Sequence, residues 1–133
     1  MTVTQQDRDV VQGMFDAMQM GLPGEEKMMA LFSQNASMTD PFDGEPRISS
    51  GKEAIRQRFI GVWSHEGPPD LALTVDQIDA IDGKLRVEWT CNSSLFLSPM
   101  TGVDYFKIAN GLIDDLVMEV TQWPQTPEGA NHE

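Results

Sequence analysis

The sequence predicts an α+β domain in which helices cover one face of a curved sheet. Three observations predict this class. Apolar residues recur at helical spacing in the first half of the chain, whereas they alternate with polar residues in the second half. Two dipeptides that favour tight hairpins, Asp82-Gly83 and Asn110-Gly111, divide the second half into strands. Helices followed by an antiparallel meander are typical of an α+β domain.

The first half of the chain predicts three helices. Apolar residues at positions 11, 14, 15 and 18 follow helical spacing, and residues 21–24 (GLPG) end this first helix. Glu25 and Glu26 suit the first turn of a second helix, which we expect to run through Phe32, because acidic side chains are favourable at a helix N-terminus. A third helix is predicted from Lys52 to Trp63. Its apolar stripe consists of Ala54, Ile55, Phe59 and Val62.

Strands account for most of the remaining chain. A short strand is expected at residues 37–40, because the residue before a proline favours extended backbone. The alternation in residues 85–92 gives that strand one apolar and one polar face, and residues 103–108 and 112–123 supply two more strands. We expect residues 1–123 to form a single domain and residues 124–133, which carry two prolines, to be a mobile tail.

The composition narrows the classes of partner. The chain has 133 residues, and 9 Lys and Arg against 21 Asp and Glu give it a net charge of −12. This charge disfavours nucleic acids and anionic membranes, because both attract cationic surfaces. Cys91, the only cysteine, is expected to be a buried core thiol. With no signal sequence or membrane span in the sequence, we expect a soluble cytoplasmic protein.

Several short segments carry a resemblance to a known family. They are residues 10–12 (VVQ), 31–32 (LF), 36–41 (ASMTDP), 45–47 (EPR), 51–56 (GKEAIR) and 103–106 (VDYF). Together they resemble bacterial ketosteroid isomerases and, more broadly, the SnoaL-like branch of the nuclear-transport-factor-2-like superfamily, over about residues 10–120. The resemblance implies a cone-shaped, cystatin-like fold with a curved antiparallel sheet packed on three N-terminal helices. It also implies a homodimer formed through the sheet and an apolar small-molecule ligand.

The resemblance further implies two catalytic carboxyls. Asp40 matches the general base that moves a proton between two carbons of an unsaturated ketone, and Asp104 matches the acid that donates a hydrogen bond to the dienolate oxygen. Burial in apolar surroundings would raise the pKa of the Asp104 carboxyl and make it a donor. No cofactor or metal is implied, because such a proton shuttle needs neither. The candidate pocket walls are Met14, Phe15, Phe59, Phe106, Met118 and Val120.

Two phenolic hydroxyls of the family are missing. Met14 stands where the family has an oxyanion-hole tyrosine on the first helix, and Phe59 replaces a supporting tyrosine on the third. Tyr105, the only tyrosine, should point away from the face that carries Asp104, because side chains alternate along a strand. Losing one oxyanion donor typically costs about 10²–10³ in rate. We therefore expect an isomerase-like enzyme of altered or unknown specificity.

Two other functions stay open. A SnoaL-like polyketide cyclase would use one aspartate as acid and base on a polyketide carbonyl, whereas a non-catalytic, dimeric small-molecule-binding module would tolerate the loss of either carboxylate. Arg86 and Glu88 share one face of a strand and are interpreted as part of a cross-strand surface ion pair rather than as a catalytic pair. His65 is expected to lie in an exposed loop, and Trp123 either closes the pocket mouth or packs at a dimer interface.

Overall fold

The computed structural model of the chain describes residues 2–64 and 70–127. Its elements, in chain order, are α1 (Gln5–Met20), a short 3-10 turn (Leu22–Gly24), α2 (Glu25–Met29), β1 (Phe32–Asp40), β2 (Arg47–Ser50), α3 (Lys52–Trp63), β3 (Ala72–Ile81), β4 (Lys84–Asn92), β5 (Met100–Ala109) and β6 (Leu112–Gln122). The strands form one six-stranded sheet in the order β2-β1-β6-β5-β4-β3. The predicted α+β class with three helices is confirmed.

One strand pairing differs from the predicted antiparallel sheet. Strands β3 to β6 form the expected antiparallel meander, and β1 pairs antiparallel with β2. Strand β1, however, pairs in parallel with β6, so that the sheet is mixed. A parallel pair needs a long crossover. Here the chain between β1 and β6 supplies it, because it contains α3 and the whole meander.

The two predicted hairpin turns are confirmed by their backbone angles. Asp82 and Gly83 have φ of 49° and 78°, and Asn110 and Gly111 have φ of 54° and 78°. Positive φ at both central residues is the requirement of the tight turn whose twist matches that of paired strands. Asparagine, aspartate and glycine adopt this conformation at low cost, which is why the dipeptides locate the ends of β3 to β6.

Helix α1 begins and ends with local signals. The Thr4 hydroxyl accepts the backbone N–H of Asp7, and the Asp7 carboxylate accepts the N–H of Thr4, each at 3.0 Å. This reciprocal pair satisfies two N–H groups that the helix itself leaves free. At the other end, Gly21 adopts φ of 70° and stops the helix. Helix α1 buries five side chains against the sheet and α2: Val10, Val11, Met14, Phe15 and Ala17.

The second helix is shorter than predicted. It ends at Met29, and Phe32 is the first residue of β1 rather than the last of the helix. The Leu31 carbonyl already accepts the N–H of Ile113 at 2.7 Å, and Phe32 pairs with the same residue on β6. Pairing with a distant strand therefore overrides the local helical preference, as tertiary context often does.

Helix α3 has the predicted bounds but a narrower buried stripe. Ile55 and Phe59 are fully buried, whereas Ala54 is exposed and Val62 is half-buried, so the prediction for Ala54 is wrong. The reason is the limited contact that α3 makes: it lies over β1 and β2 at one edge of the sheet. One flank of the helix therefore stays open to solvent.

The core lies between the helices and the concave face of the sheet. Every second side chain of the central strands enters it, for example Met38, Val87, Phe106 and Leu116, all with no exposed surface. Burying a side chain of this size contributes about 1.5–3 kcal/mol. Cys91 is buried there as predicted, and burial raises the pKa of its thiol.

Two further observations concern the chain outside the core. Among the residues that the structure describes, no helix is long and apolar enough to cross a membrane. After β6, the backbone carbonyl of Gln125 accepts the N–H of Leu97. The backbone N–H of Gln125 donates to the Ser98 hydroxyl at 3.2 Å. Residues 128–133 of the predicted tail lie outside the described residues.

Candidate active site

Both predicted catalytic carboxyls lie on the concave face of the sheet. Asp104 in β5 pairs with Met118 of β6, and Met38 of β1 pairs with Leu116. Because side chains alternate along each strand, Asp40 shares the face of Met38, and Asp104 shares that of Met118 and Leu116. Strand β6 separates the two carboxyl-bearing strands, so their backbones lie roughly 10 Å apart at about 4.8 Å per strand spacing.

Asp104 is a buried carboxyl with one hydrogen bond among the described residues. It is 3% exposed and flanked by Val87 on β4 and Met118 on β6. The indole Nε1–H of Trp89 donates to its Oδ1 at 2.9 Å. Burial raises the pKa of Asp104 from 3.8 to about 7, although the Trp89 hydrogen bond acts in the opposite direction. A carboxyl with this pKa exchanges a proton near neutral pH, which suits general acid–base chemistry.

A glycine makes room for the Trp89 indole. Gly102 pairs with Trp89 across β4 and β5, two residues before Asp104. A Cβ atom added at Gly102 would collide with the indole ring and with the backbone carbonyl of Glu119. Sequence reasoning missed this arrangement. A tryptophan and a glycine opposite each other near a buried aspartate were the available signal, but recognising it required the strand register.

Asp40 is also buried, but it is held by an arginine. The carboxylate has no exposed surface, and Arg58 of α3 binds it through Nε to Oδ2 at 2.9 Å and Nη2 to Oδ1 at 2.8 Å. The backbone N–H of Phe42 donates to Oδ1 at 3.0 Å. Such two-pronged arginine–carboxylate pairs are among the strongest hydrogen-bonded contacts in proteins. The hydrogen bond to Asp40 is also the main cause that raises the pKa of Arg58.

Arg58 is the second residue that sequence reasoning missed. Its side chain is 8% exposed, and Nη2 also contacts the Asp43 carboxylate at 3.1 Å. Its guanidinium lies over the Phe42 ring, 5.5 Å from the ring centre. In the sequence Arg58 is one polar residue beside the apolar stripe of α3, and nothing local links it to a residue eighteen positions earlier.

The six predicted wall residues all contribute to the core. Met14, Phe15, Phe59, Phe106 and Met118 are at most 7% exposed, and Val120 is half-buried opposite Gly102. Phe59 stacks on Trp63 at 5.3 Å and contacts the rings of Phe32 and Phe42 at 6.4 and 6.3 Å. A ligand at the two carboxyls would therefore have to displace side chains that now pack on one another.

An open cleft lies elsewhere, between α3, β2 and the loop that follows Asp40. Its volume is about 820 Å³, and none of the eight predicted site residues lines it. Arg58 links the two regions, because it borders the cleft and binds Asp40. The lining residues are Phe42, Asp43, Arg47, Ile48, Ser49, Ser50, Ala54, Gln57, Arg58, Gly61 and Val62.

The outer face of the sheet carries the remaining residues singled out from the sequence. Tyr105 pairs with Arg86 and Val117, so it lies on the face opposite to Asp104, as predicted. Arg86 Nη1 contacts Glu88 Oε2 at 2.6 Å with both side chains partly exposed, so the ion pair lies on the surface as predicted. It forms within β4, however, and the expected pairing across strands is wrong. Trp123 follows β6 and is half exposed. His65 lies outside the described residues.

Fold and site together define a class. Three helices pack on a curved mixed sheet, and two buried aspartates on its concave face form a candidate acid–base site. The family model for the SnoaL-like domain matches residues 11–116, and the chain belongs to this family. No curated protein matches the sequence significantly.

Solved structures show the same fold. A Kribbella flavida protein provisionally assigned as a ketosteroid isomerase is 20% identical, with 98% of this chain and 89% of that one covered and a TM-score of 0.67. A provisionally assigned SnoaL-like polyketide cyclase from Jannaschia sp. CCS1 is 14% identical, with coverages of 91% and 89% and a TM-score of 0.70. An NTF2-like protein of unknown function from Cytophaga hutchinsonii is 11% identical, with coverages of 90% and 92% and a TM-score of 0.62. At these identities the likeness shows the fold alone.

Proposed function

We propose that the protein moves a proton within an apolar unsaturated ketone of steroid or polyketide size. In this proposal Asp40 is the general base and Asp104 is the neutral hydrogen-bond donor. One observation carries it: two buried carboxyls share an apolar face but have opposite surroundings, a guanidinium at Asp40 and apolar side chains at Asp104. A charged base beside a neutral acid is what an enolisation needs.

The proposed reaction needs no electron acceptor. The Asp40 carboxylate removes a proton from the carbon next to the carbonyl, the electron pair of the broken C–H bond forms a C=C bond to the carbonyl carbon, and the π pair of the carbonyl moves to its oxygen. Asp104 donates a hydrogen bond to the resulting dienolate oxygen, and Asp40 returns the proton to the distal carbon. Asp40 Oδ1 accepts two hydrogen bonds and Oδ2 accepts one. Because each oxygen has two lone pairs, Oδ2 has one left for the proton.

The walls of the site favour a flat apolar ligand. Met14 and Met118 lie on α1 and β6, with Met118 directly beside Asp104 in the sheet. Thioether side chains are unbranched and repack at low cost, so they suit a cavity that forms when its ligand enters. We propose that these two methionines yield to the ligand while Phe59 and Phe106, which have no exposed surface, stay in place.

A second candidate is favoured by the Asp40–Arg58 pair. If Arg58 keeps Asp40 engaged throughout, Asp104 is, among the residues that the structure describes, the one buried carboxyl left on this face to exchange a proton near neutral pH. A polyketide cyclase that uses one aspartate as both acid and base would fit this arrangement. The two candidates differ in whether Asp40 takes part in the chemistry.

The first experiment follows the absorbance of the conjugated ketone formed from 5-androstene-3,17-dione. We expect the wild type to convert this substrate and Asp40→Asn to lose about 10²–10⁴ of kcat, the usual contribution of a general base. Glu119→Gln is the matched control, because Glu119 is exposed on the outer face of β6, next in sequence to Met118. Absence of conversion at high wild-type concentration would exclude steroid isomerisation.

Two substitutions of Asp104 separate the candidates. Asn retains an N–H donor but cannot exchange a proton, whereas Leu removes both functions. In the isomerase, Asp104→Asn keeps most of the rate, and Asp104→Leu loses about 10²–10³. In a single-aspartate cyclase assayed on a polyketide substrate, Asp104→Asn is as inactive as Asp104→Leu, while Asp40→Asn stays active. A binding module would retain its ligand in all three variants.

A further inference from the structure

We propose that Trp89 is a positioning residue for Asp104. Its indole N–H holds Oδ1 as the hydrogen-bond acceptor and leaves Oδ2 as the oxygen that carries the proton and presents it to the ligand. The catalytic use of that proton rests on the proposed function. The position of the proton itself rests only on the Trp89–Asp104 geometry.

The two oxygens of the Asp104 carboxyl have different surroundings. Oδ1 accepts the Trp89 Nε1–H at 2.9 Å, and this is the one hydrogen bond that Asp104 makes among the described residues. In a protonated carboxyl the carbonyl oxygen is the acceptor and the hydroxyl oxygen is the donor. A donor fixed at Oδ1 therefore favours carbonyl character there and places the hydroxyl on Oδ2.

The Trp89 indole also fixes the orientation of the Asp104 carboxyl. Rotation about the Cβ–Cγ bond of an aspartate is broad, so an unrestrained carboxyl would interchange its two oxygens. The indole cannot follow such a rotation, because it lies across Gly102 and both partners are at most 8% exposed. In a site this poorly solvated, a hydrogen bond is stronger than in water, and the arrangement with Oδ1 toward Trp89 is maintained.

The wild-type protein allows a direct test with no variant that might fail to fold. The chain has three tryptophans, and their indole N–H groups give separate ¹⁵N–¹H NMR signals. We expect the Trp89 signal to move with a midpoint near pH 7, the pKa of Asp104, and to stop moving in Asp104→Asn. A Trp89 signal that stays constant between pH 5 and 9 would overturn the proposal.

A pair of variants then tests the direction of the effect. Trp89→Phe removes the N–H but keeps a ring, and the Asp104 titration midpoint, followed by ¹³C NMR of the side-chain carboxyls, should rise by about one pH unit. Trp63→Phe is the matched control, because the buried Trp63 Nε1 has no hydrogen-bond partner among the described residues. An equal midpoint in Trp89→Phe and the wild type would contradict the positioning role.

The kinetic readout separates this proposal from the proposed function. If the wild type converts the steroid, the falling limb of its kcat/KM pH profile should shift upward in Trp89→Phe and stay in place in Trp63→Phe. If no steroid is converted while the Trp89 signal still titrates with Asp104, the proposed reaction is wrong and the positioning of the carboxyl is right. If the steroid is converted and Trp89→Phe leaves the pH profile unchanged, the proposed reaction is right and the positioning role of Trp89 is wrong.

Discussion

The two aspartates of the concave face have the same side chain and nearly the same burial, yet their surroundings favour different charge states, an anion at Asp40 and a neutral acid at Asp104. Asp40, at the end of β1, accepts three hydrogen bonds, two of them from a guanidinium. Asp104, in the middle of β5, accepts one from a neutral indole. Burial alone therefore does not decide whether a carboxyl is an anion or an acid. The partner that the fold brings to it does.

The largest expected effect concerns the charged member of this comparison. Arg58→Leu leaves the Asp40 carboxylate buried without its cation, and we expect the free energy of unfolding to fall by about 3–5 kcal/mol, as measured by urea denaturation. Arg47→Leu is the control, because the Arg47 side chain is 59% exposed and contacts Asp43 only at 3.5 Å. It should change stability by less than about 0.5 kcal/mol. Equal losses in the two variants would mean that the Asp40–Arg58 pair has no special role.

The neutral member is tested by the pH dependence of stability. The folded pKa of Asp104 is raised from 3.8 to about 7, so the folded state keeps a proton that the unfolded chain has lost. The contribution of this carboxyl to the free energy of unfolding is thus fully present below pH 4 and is lost as the pH rises to 7. Relative to Asp104→Asn, the wild type should lose up to about 4 kcal/mol over this range in urea denaturation. A difference that stays constant from pH 4 to 8 would show that Asp104 has an ordinary pKa.

A smaller effect tests the space that Trp89 occupies. Gly102→Ala places a methyl group against the indole and the Glu119 carbonyl, and we expect a loss of about 1–3 kcal/mol, typical of overpacking. Gly61→Ala is the matched control, because a Cβ at Gly61 of α3 meets nothing within 4 Å. Alanine is the better helix former, so this variant should gain about 0.5–1 kcal/mol. Thermal unfolding of both variants would show opposite shifts of Tm; a shift in the same direction would contradict the packing at Gly102.

The smallest expected change in stability concerns the Arg86–Glu88 ion pair on the outer face of the sheet. Glu88→Gln breaks the ion pair with Arg86, in which the two side chains are 32% and 43% exposed. Solvent and salt screen such a pair, so we expect the urea denaturation midpoint and the rate of steroid conversion to stay nearly unchanged. A loss as large as that of Arg58→Leu would remove the contrast between buried and exposed pairs.

Much of the fold was predictable because its signals are local. The bounds of α3 and the two hairpin turns follow from spacing and from dipeptides that favour positive φ. The shared face of Asp40 and Asp104 is consistent with the two roles that the family resemblance implied. The end of α2 was not predictable in this way, since pairing of Phe32 with β6 depends on residues about eighty positions later.

The partners of the two carboxyls could not be predicted for the same reason. Arg58 meets Asp40 because α3 crosses β1, and Trp89 meets Asp104 because β4 and β5 pair in one register. A slip of one residue in that register would move the indole to the outer face. Sequence periodicity names the strand and its faces, whereas contacts across strands follow from the assembled sheet.

The most direct test of the account is a ¹³C NMR titration of the aspartate carboxyls in the wild-type protein, with Asp104→Asn to assign the signal. We expect one carboxyl signal with a midpoint near pH 7 that is missing from Asp104→Asn. A carboxyl that still holds its proton well above the ordinary aspartate range would then lie on the same face as the Arg58-bound Asp40. If every aspartate signal titrates below pH 5, Asp104 is an anion at neutral pH and the proposed donor does not exist.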